Sequence, residues 1–112
     1  MIGEQKMNAN EYQKLALRTL NPDLSKKDIL INGVMGLCGE SGEAIDIVKK
    51  HLAQGHPLDK DALVRELGDI AWYLAETAYA LDTDLSSVLE ENIEKLRRRY
   101  PTGFSTEKSI KR

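Results

Sequence analysis

Apolar residues return every three or four positions through two long stretches of this chain, a spacing that fits helices rather than strands. Leu30, Val34, Leu37, Ala44, Val48 and Leu52 make one stripe, and Leu63, Leu67, Ile70, Leu74, Ala78 and Leu81 make a second. Start and stop signals bracket both. Ser25, with Asp28 three residues on, opens the first and Gly55-His56-Pro57 closes it; Asp59 opens the next. A shorter helix is expected to start at Asn8 or Asn10, each followed three residues later by Glu11 or Gln13, with Leu15, Ala16 and Leu20 on its apolar side, and to end at Asn21-Pro22. A fourth is expected from Asp84 through Val88, Leu89, Ile93 and Leu96, ending before Pro101. No segment alternates as a strand does. The expected fold is all-α, a four-helix-bundle-like single domain over residues 1–112, with its core at about 8–104 and a polar, frayed tail at 105–112.

Two features strain that outline. Gly33, Gly36, Gly39 and Gly42 recur every three residues, and each costs about 0.8–1.0 kcal/mol against Ala inside a helix. The apolar stripe runs across them, so a continuous or slightly bent helix is expected, its small residues admitting a close neighbour. In the next helix Trp72 and Ala75 lie off the stripe, so apolar character spreads over several faces. A second subunit is the expected cover for that extra surface.

Composition narrows the function. Sixteen Lys and Arg against eighteen Asp and Glu leave a net charge of −2, which argues against a nucleic-acid polymer as partner. Any phosphate chemistry must rest on a local cluster. The single cysteine, Cys38, allows no internal disulfide and is expected to be a small buried hydrophobe. No signal peptide and no membrane span are expected, and the cytoplasm is the expected location.

The chemistry concentrates in two acidic pairs. Glu40 and Glu43 are three apart on one helix, and Glu66 and Asp69 are three apart on the next. Both pairs flank their apolar stripes, so packing the stripes together would bring four carboxylates to one edge of the seam. Such a cluster repels itself until a cation intervenes. All-oxygen ligands point to Mg²⁺ or Mn²⁺ rather than zinc. Taken singly, each pair reads as a solvated helix face; their coincidence gives the metal site its weight. A further set, Asn92, Lys95 and Arg99, shares a face of the fourth helix. Lys95 offers a mobile cation and Arg99 a planar fork for phosphate oxygens, although cations in a last turn also complement the helix dipole. His51 and His56 read as surface or turn residues. Tyr12, Trp72 and Tyr73 read as packing residues that could also stack on a base.

Gly39-Glu40-Ser41-Gly42-Glu43, Glu66-Leu67-Gly68-Asp69 and the run from Asn92 to Pro101, in that order, resemble the MazG-type nucleoside triphosphate pyrophosphohydrolases. The resemblance spans about Glu11 to Phe104. It implies an all-α homodimer or higher oligomer, Mg²⁺ held by Glu40, Glu43, Glu66 and Asp69, and a nucleoside triphosphate gripped by Lys95 and Arg99 with Asn92 close by. Glu43 is the expected residue for orienting the attacking water. Gly39 stands where many members carry a further Glu, and the Gly-Glu-x-Gly-Glu form is similar to the subgroup that includes dCTP pyrophosphatases. The rival reading is a non-enzymatic nucleotide-binding or regulatory helical dimer.

Overall fold

The structure, a computed structural model, describes residues 6–112; the first five, which begin the single-domain span and the stretch expected to lack a leader, lie outside the described residues. Five helices follow in order: α1 (Ala9–Ala16, continued by a 3-10 turn at Leu17–Thr19), α2 (Lys26–Gln54), α3 (Lys60–Ala80), α4 (Leu85–Arg99) and α5 (Thr106–Lys111). No strand is present among the described residues. No helix there is long and apolar enough to cross a membrane.

Each start lies where a side chain can take an unpaired backbone N–H. Asn8 accepts from Glu11, Ser25 from Asp28, Asp59 from Ala62 and Asp84 from Ser87, all backbone donors three residues on. Gly55, with φ 73°, ends α2 in the left-handed conformation. The tail departs from the expected fraying. Ser105 caps α5, and a Glu107–Lys111 ion pair one turn apart braces it.

The α2–α3 hairpin is the main packing unit, and its seam only partly follows the stripes read from periodicity: Leu30, Leu37, Ala44 and Val48 are half-buried, but the closest approach lies to one side of them. Ile29 and Gly33 are the buried residues of α2, whereas Val34 is half exposed and Leu52 is 76% exposed. The glycines set this phase. At Gly33 an added Cβ would run into the Thr77 hydroxyl and lie 3.3 Å from the Thr77 Cα; at Gly36 it would strike the Tyr73 ring. α2 therefore passes through all four glycines unbroken, as expected, but only the first two admit the neighbouring helix. Gly39 and Gly42 face open space.

Two buried polar groups fix the remaining joints. Asn32 Nδ2 donates to both carboxyl oxygens of the fully buried Glu76, at 2.9 and 3.0 Å. Gln13 of α1 donates to the Ala75 carbonyl and accepts from the Leu85 N–H, so one buried amide joins α1, α3 and the start of α4. Trp72 is held within the chain: its indole N–H donates to the Ala16 carbonyl and the Thr19 hydroxyl at the end of α1, and the ring is half-buried.

One chain leaves much apolar surface open. The buried hydrophobic side chains among the described residues are Ile29, Ala75, Ala78 and Leu85, while Met35, Ile45, Val64, Leu67 and Leu81 are more than half exposed. Cys38, expected inside, is exposed as well. The radius of gyration is 17.3 Å, against the roughly 13 Å of a compact domain this long.

Candidate functional site

The α2–α3 seam carries the acidic residues into register. Gly33 faces Thr77 and Gly36 faces Tyr73, so each turn forward on α2 is matched by a turn back on α3. One turn beyond Gly36 stands Glu40, and one turn before Tyr73 stands Asp69, with Glu66 a turn further. Carboxylate oxygens of Glu40, Glu66 and Asp69 lie within 4.8 Å of one another. Glu40 and Glu66 are half-buried and Asp69 is exposed.

This proximity has an electrostatic signature. The Glu40 carboxyl is pushed up to about 7, chiefly by a hydrogen bond shared with Glu66, then by desolvation and the negative charges of Glu66, Asp69 and Glu43. One oxygen of Glu66, Oε2, is buried with no hydrogen-bond partner. A buried, unpartnered carboxylate oxygen beside two further carboxylates is an arrangement that a hard cation would satisfy and that water-free packing would not.

Three of the four sequence-predicted carboxylates therefore meet. Glu43, one turn beyond Glu40, is exposed and stands outside the 4.8 Å group, although its charge reaches Glu40. Asn92, Lys95 and Arg99 lie on α4, which packs against α1 and α3. No hydrogen bond or ion pair joins them to the four carboxylates among the described residues. Asn92, Lys95 and Arg98 share the wall of one shallow cavity, and Lys95 and Arg99 share another with α5.

The seam also brings up the aromatic residues that the sequence assigns to packing or base stacking. The phenol of Tyr12, on α1, is pushed up by burial and by the nearby charge of Asp69, which puts Tyr12 at the margin of the acidic cluster. Trp72 and Tyr73 meet edge to face with centroids 5.2 Å apart. Glu76 was missed altogether. Its signal was present: it is the only charged residue between Asp69 and Asp82, set among Ala, Leu and Tyr.

A helical chain with convergent carboxylates on one seam and a cationic helix end belongs with proteins that handle anionic substrates. Residues 32–104 match the model of the MazG nucleotide pyrophosphohydrolase domain, and the chain belongs to that family. The matched segment contains all four carboxylates together with Asn92, Lys95 and Arg99, and it stops short of α5. Gene 37 protein of Mycobacterium phage L5 is 42% identical over 73 residues, covering 62% of this chain and 64% of that relative. The match thus spans a little under two thirds of the relative's length. No solved structure matches the chain.

Proposed function

We propose that the protein hydrolyses a nucleoside triphosphate between its α and β phosphates, giving a monophosphate and pyrophosphate. The carrying observation is the trio Glu40, Glu66 and Asp69, one of whose oxygens is buried without a partner. These residues fit a divalent cation, Mg²⁺ or alternatively Mn²⁺, with Glu43 completing the acidic set. When bound, the cation supplies charge neutralisation at phosphate oxygens and a more acidic water. The protein's own groups do the rest. Glu43, exposed beside the trio, orients the attacking water. Lys95 and Arg99 stabilise charge on the departing pyrophosphate, and Asn92 donates to the same oxygens. By its Gly39-Glu40-Ser41-Gly42-Glu43 form the chain falls, in this reading, in the subgroup that includes dCTP pyrophosphatases. The work would be done in the cytoplasm, on free nucleotides.

The working unit in this reading is a homodimer or tetramer. Ile31, Cys38, Ile45 and Leu52 are exposed at seven-residue spacing on α2, and Leu67, Leu74 and Leu81 on α3. Two helices bearing such seams are built to meet further helices. A second copy would also supply an α4 to the open side of the hairpin.

The test is pyrophosphate release from a panel of ribo- and deoxynucleoside triphosphates, with millimolar Mg²⁺ or with EDTA. Mg²⁺-dependent release from at least one nucleotide is expected. Nucleotide binding without release from any of the panel would favour a non-enzymatic regulatory module. A melting temperature equal in Mg²⁺ and EDTA at neutral pH would count against the cation site, because a ligand of the folded state must stabilise it.

A further inference from the structure

The charge of this chain is segregated. Residues 95–112 hold seven of the sixteen Lys and Arg and only one acidic residue, Glu107. The rest of the chain is correspondingly acidic. Gly103, with φ 102°, and the contact of Phe104 on Tyr100 turn the chain after α4, and α5 follows. Between the two helices lies an open groove of about 390 Å³ lined by Lys95, Arg98, Arg99, Lys108, Lys111 and Arg112. No Asp or Glu side chain among the described residues lines it. Only Lys111 of the six has an ion-pair partner among the described residues, Glu107; Arg97 is turned out of the groove by its own pair with Glu94.

Like charges held together without counter-charge are an electrostatic cost that a bound anion removes. The five cations with no ion pair among the described residues exceed what a single phosphate can engage. The groove is also short, and the remainder of the chain is acidic, which disfavours a long nucleic-acid backbone running beyond it. A chain of two or three linked phosphates matches both the charge and the length.

We propose that α5 completes an oligophosphate-binding groove, in which Arg98, Lys108, Lys111 and Arg112 join Lys95 and Arg99 to hold the phosphate tail of the nucleotide. This rests on the reading of Lys95 and Arg99 as triphosphate ligands. It adds that affinity depends on a helix lying beyond the segment matched by the family.

The experiment is calorimetric titration of the full chain, free of divalent ions, with inorganic tripolyphosphate, pyrophosphate, orthophosphate and a 20-nucleotide single-stranded DNA. Tripolyphosphate should bind most tightly and orthophosphate least. The double variant Lys108→Ala/Arg112→Ala should weaken tripolyphosphate at least about tenfold, as expected for losing charge-assisted contacts. Lys49→Ala/Lys60→Ala, which removes the same charge elsewhere, should not. Equal losses in the two variants, no loss in either, or tighter binding of the DNA would overturn the groove. Pyrophosphate release separates this from the hydrolase reading. Release with an unchanged KM in Lys108→Ala/Arg112→Ala removes the groove and leaves the hydrolase. Groove binding in a chain that turns over no nucleotide leaves the groove and removes the hydrolase.

Discussion

The acidic and basic halves of the candidate site are built in opposite ways. Glu40, Glu66 and Asp69 come from adjacent helices locked in register by Gly33 against Thr77 and Gly36 against Tyr73, so their approach is a by-product of close packing. The cations stand on α4, which packs on α1 and α3 with Gln13 and Asn10 bonding its first turn, and on α5 beyond it, and their charged faces are open to solvent. Preorganised carboxylates store repulsion that a cation relieves. A loosely attached cationic arm can wait for its anion. The contrast teaches that the first half can be judged within one chain, whereas in the proposed reading the second would take its geometry from what it binds or from a neighbouring copy.

The strongest way to break the comparison is to disarm the packed half. Glu66→Gln keeps the shape of the side chain but removes the charge from the buried oxygen. Pyrophosphate release should fall at least about 100-fold, since even residues that merely support metal ligands cost 10–100-fold when changed. Near-normal turnover would dissolve the proposed division between the halves. The hinge comes next. Gln13→Leu strips partners from the buried Ala75 carbonyl and Leu85 N–H, and should cost about 3 kcal/mol in urea unfolding. A loss under about 0.5 kcal/mol would show that α4 is held elsewhere.

A smaller effect tests whether register makes the acidic cluster. Gly36→Ala must displace the Tyr73 ring, and after the gain in helix propensity should still destabilise by about 1–2 kcal/mol. Gly39→Ala, facing open space, should stabilise by about 0.8–1 kcal/mol. Opposite signs from glycines three residues apart would sharpen the seam, and matching signs would discard it. This pair also shows what could be read from the chain alone. The first four helices and their starts were legible because Asn8, Ser25, Asp59 and Asp84 are local signals, each acting within three residues. The acidic pairs were legible because their spacing is local too. The phase of α2 was not: apolar periodicity favoured the side of Val34 and Leu52, but the closest approach is set by what glycines lack, which periodicity cannot register. The distribution of Trp72, Cys38 and the exposed leucines was equally hidden, since it depends on which neighbour covers which face. In the tail, Ser105 and the Glu107–Lys111 pair were visible signals that polarity masked.

The finest test uses pH, and its sign follows from Glu40. In the folded chain this carboxyl is raised from 4.5 to about 7, so between those values the folded state holds a proton that the unfolded chain has released. Stability therefore falls as pH rises through that window, the reverse of an ion-paired carboxylate. In EDTA, the melting temperature of the native chain relative to Glu40→Gln should be higher at pH 5 than at pH 8. Adding Mg²⁺ should reverse the trend for the native chain alone, because a cation rewards the ionised cluster most where the proton is absent. A difference between the two proteins that is flat with pH in EDTA would mean that the three carboxylates do not repel one another. The packed half would then be no more strained than the open one.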